Sequence, residues 1–218
     1  MKRIVLCCLL TACSGSGPSD TDPGVDPQLE GSVYRLSVGS LNIEGADPGL
    51  NDLVKLFFAN EILTRTTNVT ETELTMTMAL GLKNTDPIQR NRCFNDVSFP
   101  PVTLDGLDFS FGPEDLEVPS AAGSFTIGQL ALTGTITEDG ESFTDLVLDG
   151  IVDFRIAAGS PLGEPADLCD SFGNLGAPCG ACTDGEMFCV DLSITGLSAS
   201  RVQGVDWADT TPDPGECD

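Results

Sequence analysis

The 218-residue chain carries 34 Asp and Glu against 10 Lys and Arg, contains no histidine, and has a formal charge of −24. So acidic a surface lacks the clustered cations that phosphate contacts require and is repelled by anionic headgroups, which excludes nucleic acid and electrostatic membrane binding. Without imidazole there is no Ser-His-Asp or Cys-His nucleophile, no histidine-ligated metal and no histidine general base, while 40% hydrophobic residues suffice for one domain with a real core.

Met1-Lys2-Arg3 is a basic start, and Ile4 to Leu10 is an apolar run too short to span a bilayer. The run ends in Leu10-Thr11-Ala12-Cys13, which resembles the lipobox of bacterial lipoproteins: an aliphatic residue and two small ones before the cysteine that is modified. The resemblance covers about thirteen residues and implies export, removal of residues 1–12 as a signal peptide, and lipid on Cys13 as the attachment to a membrane. Small residues at Thr11 and Ala12 let a peptidase reach the bond before Cys13. Ser14 rather than Asp follows the cysteine, which in that family implies the outer membrane, at its periplasmic face or the cell surface. One departure is length, since export leaders usually run to about 15–30 residues. Loss of Lys2 and Arg3 with the leader takes the charge from −24 to −26.

Residues 13–30 read as a lipidated, flexible acidic tether, rich in Ser, Gly, Pro and Asp and free of aromatic residues. Residues 31–208 read as a single β-rich domain, because the dominant periodicity is two. Tyr34, Leu36 and Val38 alternate with polar neighbours, as do Leu74, Met76, Met78, Leu80 and Leu82, then Leu107, Phe109 and Phe111, and finally Phe188, Val190, Leu192 and Ile194. One segment differs: Leu50, Leu53, Val54, Phe57, Phe58 and Ile62 recur at helical spacing behind Asp47-Pro48, which predicts a helix from Pro48 to Leu63 that plugs or covers the sheet. A hairpin is predicted at Asp139-Gly140, with a two-residue turn setting Ile136 opposite Phe143 and a bulge near Thr144 where the apolar phase slips. Similar slips at Val38-Gly39-Ser40-Leu41 and Ile127-Gly128-Gln129-Leu130 predict bends or bulges. Residues 209–218 form an acidic, proline-containing tail that Cys217 is expected to pin.

Six cysteines follow Cys13: Cys93, Cys169, Cys179, Cys182, Cys189 and Cys217. An even number in an exported chain predicts three disulfides of undetermined connectivity, with a Cys-rich lobe at about residues 165–190. Two rival readings compete. Zinc wants four thiolates at finger-like spacing, but there is a single CxxC. Pro178-Cys179-Gly180-Ala181-Cys182 superficially resembles the thioredoxin active site, yet Thr183-Asp184-Gly185 after it is turn chemistry rather than a helix start.

No cofactor and no metal site is expected, and no catalytic residue is assigned. Nucleophile-elbow, phosphate-loop and dinucleotide motifs are absent. Calcium is the best ion guess, through Asp20, Asp22 and Asp26 or through Glu138, Asp139 and Glu141, although no EF-hand spacing accompanies them. Solvated acids that confer solubility account for the same residues. Asn68-Val69-Thr70 matches a glycosylation acceptor by chance in such a chain.

These features predict a mainly β chain: an antiparallel sandwich or curled barrel-like sheet of about 7 to 9 strands with one helix and a disulfide-rich C-terminal lobe. At 6% aromatic residues, two interfacial girdles of a membrane-spanning barrel are not supplied. The functional expectation is a lipid-anchored envelope lipoprotein, a non-enzymatic structural or binding module whose partner is an envelope protein, a glycan or a small ligand. The remainder resembles Cys-rich acidic envelope lipoproteins, a likeness that implies no activity. A carboxylate-dependent hydrolase and a calcium-stabilised adhesion module are the alternatives.

Overall fold

The computed structural model describes residues 29–57, 61–82, 85–120, 123–157, 163–205 and 207. In chain order these form β1 (Val33–Ser37), β2 (Asn42–Ile43), α1 (Pro48–Phe57), β3 (Glu61–Thr67), β4 (Glu73–Gly81), β5 (Val97–Ser98), β6 (Val102–Asp105), β7 (Asp108–Ser120), β8 (Gly123–Ile136), β9 (Ser142–Asp153), α2 (Pro165–Asn174), β10 (Gly180–Ala181) and β11 (Met187–Val202). Eight of the strands close into an antiparallel barrel. Around it β1, β3, β4, β6, β7, β8, β9 and β11 follow one another in sequence order, and β11 returns to pair with β1. The short strands β2 and β10 are added to β11, and β5 to β4.

Alternation explains why these segments are strands and which face each buries. Across β3 and β4 the partners Ile62 and Leu80, Thr64 and Met78, and Thr66 and Met76 point inward. The inner rows continue through Phe109, Phe111, Leu130, Ile136, Phe143, Leu146, Val190, Ile194 and Leu197, all buried in one core cluster. Outward rows carry Thr75, Thr77, Thr103, Asp105, Ser110, Thr133, Asp149 and Asp191. An apolar inside and a polar outside is the reverse of a barrel that spans lipid.

The interior is filled by side chains. Tyr34 stacks on Phe143 at 4.1 Å between centroids, and Phe109 tilts against the same ring at 5.4 Å. At Gly134 even a Cβ would sit 2.5 Å from Leu146 and 2.8 Å from Phe109, so the residue is glycine because the space is already taken.

The hairpin between β8 and β9 pairs Ile136 with Phe143 as expected, but its turn is longer than two residues. Thr137 and Ser142 face each other across a loop of Glu138 to Glu141, in which the Gly140 amide donates to the Thr137 carbonyl. Gly140 alone takes a positive φ there, 67°. The expected bulge is present: Thr135 pairs with Thr144 but Thr133 with Val147, and Asp145 lies at φ 51°. Of the two glycine slips, Gln129 is a bulge at φ 50°, whereas Gly39-Ser40 is a turn that ends β1.

Two expectations about helices need correction. The helix predicted over Pro48 to Leu63 ends at Phe57, and Ile62 and Leu63 lie in β3. The β-branched Thr64, Thr66 and Thr67 pair with β4, and this long-range pairing overrides the helical spacing of Ile62. Asp47 starts α1 as read, its carboxylate accepting the Gly49 amide at 2.8 Å, and Leu50 and Val54 enter the core. The second helix, α2, was not foreseen; Pro165 opens it and Phe172 packs edge-on against Phe154 at 4.8 Å. The fold also begins earlier than residue 31, since Leu29 is 1% exposed.

Tyr34, the chain's single tyrosine, fixes one end of the barrel. Its hydroxyl donates to the Gly140 carbonyl at 2.7 Å, and burial pushes the phenol up from 10.0 to about 12 against the opposing charge of Arg201. A raised phenol pKa means that the fold favours the protonated ring. Its contribution is therefore complete below the unfolded value near pH 10 and is lost as pH rises toward about 12, amounting to about 2–3 kcal/mol. Ultraviolet titration of the phenolate should give a native midpoint well above that of the unfolded chain; coincident midpoints would show that the ring is solvated.

Candidate functional site

Three regions bring polar chemistry together. The first is the Cys-rich lobe. Cys169 on α2 is bonded to Cys179, and Cys182 to Cys189 on β11. The CxxC cysteines thus have different partners, and Cys179 and Cys182 do not form the vicinal redox pair of a thioredoxin-like site. Cys93 is disulfide-bonded as well. The residue bonded to Cys93 lies outside the described residues, as do Cys217 and Cys13, the position expected to carry lipid. Cys182 and Cys189 are 8% and 4% exposed, whereas Cys169 and Cys179 are only half-buried. A mild reductant should therefore open Cys169–Cys179 first, with each lost bridge costing about 2–3 kcal/mol by loop closure. Peptide mapping after timed alkylation checks the order, and simultaneous loss of both bridges would contradict it.

Beside the inner bridge stands an ion triad. Arg155, in a 3-10 turn after β9, donates from Nε to Asp153 at 2.9 Å and from Nη2 to its second oxygen at 2.6 Å. Its Nη1 reaches Asp184 at 2.8 Å, in the turn between β10 and β11. Hydrogen bonding from Arg155 holds the Asp153 carboxyl below its usual range, and the Glu186 amide followed by Arg155 does the same for Asp184. Among the described residues, the group of acid and thiol ligands close enough to share an ion is Asp153, Cys182 and Cys189, within 4.8 Å of one another. The two sulfurs are spent in a disulfide and the carboxylate in an arginine fork, so the cluster is a staple between β9, the turn and β11.

Two of the hairpin acids offered for calcium, Asp139 and Glu141, are used locally. Asp139 accepts the Thr137 hydroxyl at 2.7 Å and the Glu141 amide at 3.1 Å, which lowers its pKa, and Glu141 pairs with Arg201 at 3.3 Å. Asp20, Asp22 and Asp26 lie outside the described residues, as does Phe58.

The third region is a shallow groove of about 410 Å³ on the outer face of β6 to β9. Its lining includes Asp105, Asp108, Asp145, Ser110, Thr133 and Thr135. Gly106, at φ 63°, turns β6 into β7 and places Asp105 directly opposite Asp108. Cross-strand partners of like charge repel; Thr135 relieves Asp108 by donating its hydroxyl at 2.7 Å. Sequence reading did not find this groove, because its residues come from four strands. The visible signal was Asp-Gly-Leu-Asp, a two-residue turn with acids on both sides. Carboxylates that accept and hydroxyls that both donate and accept suit a polyhydroxylated or cationic ligand. In comparisons with known proteins, no family model, curated protein or solved structure matches this chain.

Proposed function

We propose that the chain is a lipid-anchored envelope lipoprotein, held by Cys13 at the outer membrane, that works as a non-enzymatic structural or binding module. What carries the binding half of this reading is the packed interior. A barrel with side chains at van der Waals contact through its centre has no chamber in the described residues around Phe109, Phe143 and Gly134, so recognition falls to its outer surface. The outer groove is the best candidate surface there, with a glycan or an envelope protein as its partner.

The anchoring half rests on Leu10-Thr11-Ala12-Cys13. It also supplies an orientation. Leu29 enters the fold at the hairpin end, where its side chain lies against Gly140. By strand register, Asp153 and Cys189 lie at the other end of β9 and β11 from Ser142 and Ser200, which directs the disulfide lobe away from the anchor.

Fractionation tests the anchor: the wild-type chain should partition with membranes and carry acyl mass, and Cys13→Ala should lose both. An unmodified wild type in the soluble fraction would overturn the reading. One observation favours a second reading, a carboxylate-dependent hydrolase, namely the facing Asp105 and Asp108 in the groove. Glycosidase turnover abolished by Asp105→Asn or Asp108→Asn would establish it.

A further inference from the structure

Asp-Gly is a dipeptide at which a chain rearranges without any enzyme, because glycine leaves the amide nitrogen after the aspartate unshielded. The sequence holds four such steps, Asp105-Gly106, Asp139-Gly140, Asp149-Gly150 and Asp184-Gly185. The nitrogen of the glycine attacks Cγ of the aspartate, so in a folded chain the rate depends on whether carboxyl and amide are free to meet.

Three of the steps are restrained. The Asp139 carboxylate accepts the Thr137 hydroxyl and the Glu141 amide, and the Gly140 amide donates to the Thr137 carbonyl at 2.8 Å. The Asp184 carboxylate accepts from Arg155 and from the Glu186 amide, and the Gly185 amide donates to the Cys182 carbonyl at 2.9 Å. Asp149 and Gly150 lie inside β9, paired with β11 on one side and flanked by β8 on the other, which keeps their backbone extended.

Asp105 differs on each count. Among the described residues nothing donates to its exposed carboxylate, and the Gly106 amide has no acceptor. It ends β6, a strand of 4 residues, at a turn whose Gly106 stands at φ 63° with nothing within 4 Å of its Cβ position. Its cross-strand partner Asp108 carries the same charge, which favours opening of this turn.

We propose that Asp105 is the residue at which the folded chain converts to isoaspartate, and that the conversion dismantles the groove on β6 to β9. The Gly106 nitrogen loses its proton and bonds to Cγ of the protonated Asp105 carboxyl, and water leaves as a succinimide ring closes. Water then adds at the main-chain carbonyl of Asp105 and breaks its bond to that nitrogen, so the chain runs on through Cβ and Cγ. No electrons are exchanged with any partner. One carbon is thereby added to the main chain between β6 and β7, and the free carboxylate moves onto Cα. Asp105 can then no longer stand opposite Asp108, and the lining it shares with Asp108, Asp145 and Thr135 is lost. Neither a ligand nor the lipid anchor is needed for this chemistry.

The test is to age the full-length folded protein in neutral buffer and locate isoaspartate by peptide mapping after enzymatic methyl labelling of that residue. Because each hydrogen bond that must break first slows attack several-fold, label at Asp105 should exceed that at Asp139 and at Asp184 by about tenfold. Asp105→Glu should remove label from that peptide, since the larger ring closes far more slowly. Label spread evenly over the four steps, or led by Asp139, Asp149 or Asp184, would overturn the proposal. In urea the four steps should draw level; a lead of Asp105 that persisted there would show that the fold plays no part. Hydrogen exchange of the converted fraction reads the second half: the amides of Thr103 and Ser110 should lose protection, and unchanged exchange would show that the groove survives.

Discussion

Tyr34→Ala should lower stability by about 3–5 kcal/mol, a large part of what a domain of this size possesses. Three losses combine in it. The ring is fully buried and stacked on Phe143, so its removal leaves a cavity beside that ring. The hydroxyl is the partner of the Gly140 carbonyl, which would be left unsatisfied in a buried place. Gly140 in turn lies against Leu29, so the loss propagates to the point where the chain enters the fold. Tyr34→Phe isolates the second term, because it keeps the stack and should cost about 1–2 kcal/mol. Chemical denaturation of both variants measures the difference. Equal costs would mean that the hydrogen bond, and not the stack, carries the contribution of Tyr34.

Gly196→Ala should cost about 3 kcal/mol, far more than its size suggests. Gly196 sits in the bulged part of β11 at φ 71°, and a Cβ built there would lie 2.0 Å from the Ser40 carbonyl oxygen. A left-handed backbone alone costs an L-residue roughly 1–2 kcal/mol, and the clash adds an overpacking term of about 1–3 kcal/mol because a backbone atom cannot rotate aside. The turn between β1 and β2 would have to move, and with it the pairing of Ile43 with Ile194. Gly45 provides the control. It has nearly the same φ, 75°, but nothing within 4 Å of its Cβ position, so Gly45→Ala should show the conformational cost alone. If the two substitutions shift the thermal midpoint equally, the close approach of Ser40 contributes nothing.

Such contrasts between neighbouring residues also mark how far the sequence could be read. The strands were legible because an element with one buried face writes that face into every second residue, as in Leu74, Met76 and Met78. The bulge near Thr144 was legible for the same reason, since a slip of phase from Phe143 to Leu146 has no other remedy in a strand. The helix end was not legible: Ile62 fits helical spacing and strand alternation equally, and its pairing with Leu80 decided the matter. Helix α2 was obscured by the Gly and Pro residues around it, and its apolar signal amounts to Leu168, Cys169 and Phe172.

By itself, the sequence determined the β class, the acidic composition, the exclusion of histidine chemistry and the expectation of disulfides, and it holds the lipobox-like run on which the anchoring proposal rests. All of these are local properties, carried by composition, alternation or a run of a few residues. Only the tertiary structure decided that the sheet closes, that β1 lies between β11 and β3, that Cys179 and Cys182 part to different partners, and that Asp105, Asp108 and Asp145 share a groove. Periodicity states which face of a strand is buried but not which strand lies beside it. Neighbours are chosen by the packing of distant side chains such as Tyr34 on Phe143, and that choice has no local record in the chain.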